Sequence, residues 1–382
     1  MNVVLRSALG LLLALPGLAQ TPVKIGIVNS QTGPLAPIGE SINNGYTLAL
    51  EDLAKRGIKL ELVKEDDTGK PQIALSGMEK LITRDNVVGV VGAYSSACSA
   101  AIAKKAEQYK VPLIVPVASK EEITKPGLKY VFRVSATTED YAAVLINMVL
   151  TLGKPRTMAI LNENTDFGTS GAKSAKLIAS QKGIQVVAEE AYQAGSPDYR
   201  STLAKIKGTN PDLVFMVSYV ADGILLMRQA RELGLSPKAF LGAGAGFSFM
   251  EFAKEKQISN LVFSSTQWTP EVPWPGARDF AKRYKDRFKK EEVPYHAANA
   301  YATLMVMGEA VAKGGGSRES LKAILDATEF DGILGKIKFT DYDGYTNQNH
   351  HPMLVEQIQN GKHETVFPPA LAPKKPIYPH KW

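Results

Sequence analysis

The chain has 382 residues, of which 45% are hydrophobic and 22% are charged. This is ordinary usage for a globular protein of two or three domains, so it excludes a disordered or fibrous chain. The formal net charge is +7, but Lys and Arg are interleaved with acids, as in KRYKDRFKKEE at 282–292. No clustered basic patch therefore predicts binding to nucleic acid or to a membrane surface.

Residues 1–19 have the layout of a secretory signal peptide. Arg6 precedes a short uncharged apolar run, and small residues precede a predicted cut after Ala19. The run is shorter than the ~20 residues that span a bilayer. We therefore predict an exported, soluble protein. The single cysteine, Cys98, permits no internal disulfide and is expected to be a buried small side chain.

Strand-like and helix-like segments alternate from residue 23 onward. In the first series, strands are predicted at 23–28, 58–65, 87–92, 111–116 and 130–134, with helices at 41–54, 73–81 and 99–109. In the second series, strands are predicted at 157–162, 185–192, 212–218, 239–242 and 261–265, with helices at 170–181, 201–207 and 222–233. Helices at 276–288, 297–312 and 317–327 follow, and then strands at 333–339 and 353–359 with turns at 343–344 and 360–361.

The alternation predicts an α/β fold built from βαβ units with mainly parallel sheets. Continuous apolar runs such as VVGVV and DLVFMV are typical of strands covered on both faces by helices. Because there are two such series, we expect two α/β lobes. The late strands read as an edge addition, and the Pro-rich tail PPALAPKKPIYP reads as a surface segment without a core of its own.

Common catalytic signatures are not found in the sequence. There is no G-x-S-x-G, and LGAGAG at 241–246 is not a complete dinucleotide fingerprint. The histidines lack metal-ligand spacing, and DYDG at 341–344 reads as a turn rather than a calcium loop. The sequence therefore predicts no enzyme, no metal and no cofactor.

Two predicted strands end in small hydroxyl side chains. GAYSSACSAA places Tyr94, Ser95 and Ser96 between a strand and a helix, and PLIVPVASKEE places Ser119 after the next strand. In open α/β sheets, ligands bind beyond the carboxyl ends of the strands, where helix N-termini supply free N–H groups. The two ends together suit a carboxylate. The alternative is that these serines are helix caps.

The chain resembles the type I periplasmic solute-binding proteins of ABC transporters, in particular the branched-chain amino-acid (Leu/Ile/Val) binding group. The segments that carry the resemblance include VKIGIVNSQTGPLAPIGE, VVGVVGAYSSACSAA, VPLIVPVAS, YVFRVSATTEDY and AILNENTDFGTSGAKSAK. The resemblance covers nearly the whole chain after residue 19.

The resemblance implies two Rossmann-like α/β lobes joined by three hinge strands, with the ligand enclosed between them. The hinges are expected near 135–137, 264–266 and 338–341. Lobe one then comprises 20–136 plus 266–339, and lobe two comprises 137–265 plus 340–382.

The resemblance also implies the ligand-binding residues. Ser96 and Ser119 match the hydroxyls that hold an α-carboxylate, and the carbonyl of Val117 matches the one that takes an α-ammonium. The remaining expected wall residues are Tyr94, Ser95 and Ala118 from lobe one and, closing over the ligand from lobe two, Phe167 and Tyr219.

One position departs from the amino-acid binders. Gly244 stands where they carry an acid for the ammonium, and Ile38 stands where an aromatic side chain is common. A buried ammonium without a carboxylate partner is costly. Either another acid, such as Asp222 or Asp166, replaces it, or the ligand is an aromatic acid, keto acid or amide without an ammonium.

The function implied is that of a periplasmic receptor for a small carboxylate-bearing solute, foremost a branched-chain or other neutral amino acid. Its partners are expected to be an ABC permease and ATPase at the inner membrane, with no nucleic acid. A sensory receptor with the same cleft and a hydrolase on the same lobes are the rival classes. A hydrolase needs a base beside Ser96 or Ser119, and no histidine is near either one in sequence.

Overall fold

A computed structural model describes residues 22–382 of the protein. The predicted signal peptide, residues 1–19, lies outside the described residues. The strands are β1 (Val23–Asn29), β2 (Leu60–Asp66), β3 (Gly89–Gly92), β4 (Leu113–Val115), β5 (Val131–Arg133), β6 (Thr157–Glu163), β7 (Gln185–Tyr192), β8 (Leu213–Val217), β9 (Ala239–Gly242), β10 (Phe263–Thr266), β11 (Glu329–Gly332), β12 (Gly335–Tyr342), β13 (Tyr345–Asn349), β14 (Leu354–Gln359) and β15 (Lys362–Phe367).

Helices lie between most of these strands. They are α1 (Ala36–Lys55), α2 (Pro71–Thr83), α3 (Ser96–Tyr109), α4 (Thr138–Leu152), α5 (Asp166–Gln181), α6 (Arg200–Gly208), α7 (Val220–Glu232), α8 (Met250–Ala253), α9 (Lys256–Ser259), α10 (Ala277–Phe288), α11 (Tyr295–Ala312) and α12 (Arg318–Ala327). Two short 3-10 helices, Glu121–Ile123 and Ala245–Ser248, follow β4 and β9. Across residues 22–382, none of the helices combines the length and the apolar character needed to cross a membrane.

The strands form two mixed sheets, each of which is the centre of one lobe. The first sheet has the order β11-β12-β13-β5-β4-β3-β1-β2, and the second has the order β15-β14-β10-β9-β8-β6-β7. β1 to β5 and β6 to β10 pair in parallel within their sheets, whereas the late hairpins add antiparallel strands at one edge of each. The predicted α/β fold with two lobes is confirmed.

The sequence pattern explains why the central strands and the surface helices form. β8, LVFMV, is buried along its whole length, as expected for a strand with helices on both faces. α10 is amphipathic instead. Phe280 and Tyr284 are buried, while Lys282 and Asp286 form an exposed ion pair of 2.8 Å one turn apart. The basic run at 282–292 is therefore largely a solvated helix face.

The chain crosses between the lobes three times, and one crossing differs from the expectation. The first two follow β5 and β10, close to the expected hinges at 135–137 and 264–266. The expected third hinge at 338–341 is wrong, because these residues belong to β12, in which Lys338 pairs with β11 and Phe339 and Thr340 pair with β13. β13 also lies in the first sheet, so the chain crosses at 350–353 and the first lobe extends to Asn349.

The late hairpins confirm two predicted turns. Asp343 and Gly344 have φ angles of 47° and 81° between β12 and β13, and Asn360 and Gly361 have 57° and 80° between β14 and β15. Two consecutive positive φ angles are typical of the tight turns that suit the twist of a hairpin. Cys98 is free and fully buried, as predicted.

Candidate functional site

Two neighbouring strands of the first sheet end at the same edge. β3 and β4 pair in parallel, with Val90 opposite Leu113 and Val91 opposite Ile114. The segments that follow them, 94–96 and 117–119, therefore lie side by side beyond the carboxyl ends of the strands. α3 begins at Ser96, so the positive end of its dipole lies at the same edge.

The serines at this edge have different roles. Ser95 is the N-cap of α3, because its Oγ accepts the backbone N–H of Cys98 at 3.1 Å. Ser96 Oγ accepts the backbone N–H of Lys120 at 3.4 Å, which leaves its own proton available to a ligand. Ser96 and Ser119 are both 2% exposed and both line a cavity in front of the strand ends.

Two aromatic side chains of the second lobe cover this edge. Phe167 lies in the first turn of α5, which follows β6, and Tyr219 follows β8, the parallel neighbour of β6. The two rings are stacked with centroids 5.5 Å apart, and Tyr219 also lies 5.7 Å from the ring of Tyr94. We call Phe167 and Tyr219 the aromatic lid. It joins the second lobe to the strand ends of the first.

The cavity between the strand ends and the lid is small. Its volume is about 10 Å³, which is room for roughly one water molecule. A larger solute therefore requires the lid to move or the lobes to separate. The cavity is lined by Tyr94, Ser96, Val117, Ala118, Ser119, Tyr141, Phe167, Tyr219, Ala245 and Tyr295.

The structure brings together seven of the residues proposed from the sequence; the exception is Ser95, which caps α3 and does not line the cavity. Sequence reasoning missed Tyr141, Ala245 and Tyr295. Tyr141 lies near the start of α4 and Tyr295 begins α11. Both are single aromatic residues at helix starts, and only the approach of the two lobes gives them a common location.

Gly244 lies directly behind these two tyrosines. Its φ of 60° belongs to a backbone region that side chains rarely adopt, and a Cβ built there would lie 3.2 Å from the hydroxyl of Tyr295 and 3.3 Å from the ring of Tyr141. The tyrosines therefore occupy the space that a side chain at this position would need. Ile38, the other departure, is a buried core residue and does not line the cavity.

Acids that were candidates to replace a side chain at Gly244 are engaged elsewhere. Asp222 accepts the backbone N–H of Gly195 at 3.0 Å, and Asp166 forms an ion pair with Lys120 at 2.7 Å. Glu163 lies behind the lid, where it accepts the N–H of Tyr219 at 3.2 Å, and burial raises the pKa of its carboxyl to about 7. None of the three lines the cavity.

A hydrogen-bond network connects the two tyrosines of the cavity. The hydroxyls of Tyr141 and Tyr295 lie 3.3 Å apart, and Tyr295 also accepts the backbone N–H of Ala245 at 3.3 Å. Gln267 donates from its Nε2 to the hydroxyl of Tyr141. Tyr141 and Ala245 belong to the second lobe and Tyr295 to the first, so the network bridges the cleft.

A second set of contacts bridges the lobes beside Ser119. The carboxylate of Glu121 is buried and accepts hydrogen bonds from Thr138 at 2.8 Å, from Ser174 at 3.1 Å and from Ser170. The backbone N–H of Glu139 also donates to it, at 2.8 Å. We call these contacts of Glu121 the interlobe latch. The latch is close to the lid in the chain, because Ser170 and Phe167 are three positions apart on α5.

A larger cavity of about 220 Å³ lies on the other side of Tyr295 and contains a buried histidine. His363 of β15 contacts Glu292, ahead of α11, at 2.8 Å through Nδ1, and the carbonyl oxygen of Phe247 at 2.9 Å through Nε2. Both partners are acceptors, so both ring nitrogens carry a proton. Burial opposes the charged ring, but the hydrogen bond with Glu292 and the nearby Glu356 outweigh it and raise the pKa of His363 to about 9.

We expect His363→Gln to destabilise the protein at pH 6 but not at pH 10. A pKa raised in the folded state adds stability that is complete below the unfolded pKa of about 6.5 and is lost as the pH rises through about 9. The expected loss in unfolding free energy at pH 6 is about 1–3 kcal/mol, measured by urea denaturation. His350→Gln is the control, because His350 is exposed. An equal loss at both pH values would contradict the assignment of a charged ring.

Metal binding has no support in the side-chain arrangement. Over residues 22–382, no three His, Cys, Asp or Glu side chains are grouped so that they would hold a metal ion.

Comparison with known proteins identifies the family. The model of the periplasmic binding protein family matches residues 22–362. The Leu/Ile/Val-binding protein homolog 7 of Brucella suis is 29% identical over 375 residues, which cover 93% of each chain. The crystal structure of the leucine-binding protein LivK of Thermotoga maritima superposes with a TM-score of 0.82 at 25% identity, covering 90% of this chain and 97% of that one.

A further solved structure shares the fold but was determined with a different kind of ligand. The solute-binding protein of an ABC transporter from Rhodopseudomonas palustris BisB5, in complex with 3,4-dihydroxybenzoic acid, superposes with a TM-score of 0.79 at 23% identity, covering 90% of this chain and 95% of that one. The family is one of binding proteins rather than enzymes, and its name implies a periplasmic location. The chain therefore belongs to the periplasmic binding protein family, and its type I fold and its place in the Leu/Ile/Val-binding group are as the sequence predicted.

Proposed function

We propose that this protein captures a small carboxylate-bearing solute in the periplasm by closing its two lobes around it, and that it delivers the solute to an ABC permease and ATPase. The observation that supports this most directly is the pair of adjacent strand ends with Ser96 and Ser119 at the N-terminus of α3. Hydroxyl donors at the positive end of a helix stabilise a carboxylate without any full positive charge.

Binding and closure are coupled in this arrangement. The anchor belongs to the first lobe and the aromatic lid to the second, so a solute that contacts both favours the closed form. The cavity of about 10 Å³ leaves no path for such a solute while the lobes are together. Entry and release therefore require opening at the three crossings.

A neutral amino acid is one candidate solute, because the relatives named above are Leu/Ile/Val-binding and leucine-binding proteins. Val117 lines the cavity, and its carbonyl is the acceptor that we propose for one N–H of an ammonium. An aromatic acid is the second candidate, because the cavity walls are mainly aromatic and a structural neighbour contains such a ligand.

We expect Ser96→Ala and Ser119→Ala each to weaken solute binding by about 1–3 kcal/mol, since each removes a buried donor from a charged acceptor. A thermal-shift screen of the mature protein with amino acids, 2-oxo acids and aromatic acids identifies a solute, and calorimetry with that solute measures the two variants. Ser76→Ala, on the exposed face of α2, is the control and should leave the affinity unchanged. Wild-type affinity in both cavity variants would contradict the proposed carboxylate anchor.

A further inference from the structure

We propose, building on the function proposed above, that the second polar group of the solute is an uncharged oxygen acceptor, as in a 2-oxo carboxylic acid, and not an ammonium. The observation that carries this is the direction of the hydrogen bonds at the end of the cavity formed by Tyr141 and Tyr295. They present a proton to the solute.

The direction of the network is set by backbone groups. The N–H of Ala136 donates to Oε1 of Gln267 at 3.0 Å, and Nδ2 of Asn299 donates to the same oxygen at 2.9 Å. A backbone N–H can only donate, so Oε1 is the acceptor and Nε2 points to Tyr141. The hydroxyl oxygen of Tyr141 therefore accepts a hydrogen bond from Gln267.

Counting protons then leaves one spare donor. Tyr295 accepts the N–H of Ala245, and Tyr141 accepts Nε2–H of Gln267, so each hydroxyl keeps its own proton to give. Only one of the two can donate across the contact of 3.3 Å between them. Whichever does so, the other hydroxyl has an unused O–H, and both side chains line the cavity. Burial raises the pKa of Tyr295 to about 12 and holds the pKa of Tyr141 well above its usual value, so both stay protonated.

Tyr94 adds a second unused donor. Its side chain is 4% exposed and lines the cavity, and its hydroxyl has no hydrogen-bond partner in the part of the chain that the structure describes. A buried polar group without a partner is costly, and a ligand acceptor removes that cost.

The cavity lacks a charged partner for an ammonium. Its lining contains no Asp or Glu, and the side-chain oxygens present are all hydroxyls. The carbonyl of Val117 and the hydroxyl oxygens can each accept one of an ammonium's three N–H groups, but none of them carries the negative charge that a buried ammonium needs. The oxygen of a 2-oxo acid, beside its carboxylate, instead accepts from the spare hydroxyls. The polar groups of the cavity thus fit an oxo acid and leave an ammonium without a charged partner.

The test compares ligands that differ only at this group. Affinities are measured by calorimetry for leucine against 4-methyl-2-oxopentanoate and for phenylalanine against 3-phenyl-2-oxopropanoate. We expect the oxo acid to bind at least tenfold more tightly in at least one pair. Tighter binding of the amino acid in both pairs overturns the proposal while leaving the carboxylate anchor intact, provided that Ser96→Ala weakens it. Absence of binding by all four also overturns the proposal, and the anchor is then judged by Ser96→Ala and Ser119→Ala with the solute that the screen identifies.

Gln267→Glu reverses the network without changing its shape. The carboxylate introduced by this substitution would keep the donors Ala136 and Asn299 but accept a hydrogen bond from Tyr141. Tyr295 then donates to Tyr141, neither of these two hydroxyls keeps a spare proton, and only the hydroxyl of Tyr94 still offers one. We expect the preference for oxo acid over amino acid to fall at least tenfold. An unchanged ratio in a folded variant contradicts the proposal, because a merely structural role of Gln267 would weaken both ligands alike.

A set of phenylalanine variants provides a second check. Tyr141→Phe and Tyr295→Phe each leave one hydroxyl with a free proton, so each should change oxo-acid affinity less than threefold. The double variant removes the spare donor of this pair, leaves only the hydroxyl of Tyr94, and should lose at least tenfold. If the losses in the two single variants are similar and add up to the loss in the double variant, the spare-proton argument is contradicted. Tyr301→Phe, outside the cavity, is the control for removal of a partly buried hydroxyl.

Discussion

Glu121→Ala is expected to shift the protein towards its open form by about 3–5 kcal/mol, or a factor of 100 or more in the ratio of closed to open molecules. The reason is that the interlobe latch has one acceptor and several donors. Without the carboxylate, the buried hydroxyls of Thr138, Ser170 and Ser174 and the N–H of Glu139 lose their partner when the lobes close. Water satisfies these donors only in the open form.

The measurement is the distance between the lobes in solution. Spin labels on Lys104 of α3 and Lys182, at the end of α5, are on exposed positions of the two lobes. We expect a longer distance distribution in Glu121→Ala than in the wild type, and weaker binding of any solute that requires closure. An unchanged distribution together with unchanged affinity would show that Glu121 does not control closure.

Glu122→Ala is the matched control. Glu122 is the next residue, and its carboxylate is half exposed and lies 3.8 Å from Lys173 of the second lobe. The substitution Glu122→Ala thus removes a carboxylate and an interlobe contact from the same short helix that carries Glu121. Exposed ion pairs contribute about 0–1 kcal/mol, so the distance distribution should not change measurably. A change in Glu121→Ala but not in Glu122→Ala would show that the effect comes from the buried hydrogen bonds of Glu121 and not from its place in the chain.

Arg133→Met is expected to lower the free energy of unfolding by about 3–5 kcal/mol. The guanidinium of Arg133 is fully buried and donates to Oε1 of Gln348 at 2.6 Å, to the carbonyl oxygen of Lys120 at 2.6 Å and to Oγ1 of Thr124 at 2.9 Å. Burial lowers the pKa of Arg133, and the charge of Glu121 opposes that shift. Methionine fills a similar volume but donates to none of these acceptors, although Oε1 of Gln348 keeps another donor, the hydroxyl of Thr124 at 3.1 Å.

The consequence extends to the candidate site. Arg133 ties β5 to β13 and fixes the carbonyl of Lys120, which directly follows Ser119. We therefore expect a weaker carboxylate anchor as well as lower stability. Urea denaturation measures the stability, with Arg156→Met as the control because Arg156 is exposed and should change it by less than about 0.5 kcal/mol. A variant as stable as the wild type would mean that the buried network contributes nothing net.

Much of the fold follows from local pattern. The positions of β7 and β9 were predicted to the residue, and those of most other strands within two residues. Central parallel strands such as β8 and β9 are short continuous apolar runs because helices cover both of their faces. β13 was missed for the opposite reason. Its sequence, YTNQN, has no apolar run, and its Gln348 is buried by hydrogen bonds to Arg133 rather than by hydrophobic contacts. That omission also misplaced the third crossing.

The sequence by itself determined the two lobes and the two strand ends that we propose as the anchor, since strand, turn and helix start are encoded within a few neighbouring residues. Ser96 and Ser119 were proposed from such stretches, and Phe167 and Tyr219 from the family resemblance. Only the tertiary structure decided which groups meet across the cleft. The pairing of Tyr141 with Tyr295 spans 154 residues, and that of Glu121 with Ser170 spans 49. Hydrogen-bond direction depends on the partners of both side chains, and no local spacing specifies such distant partners.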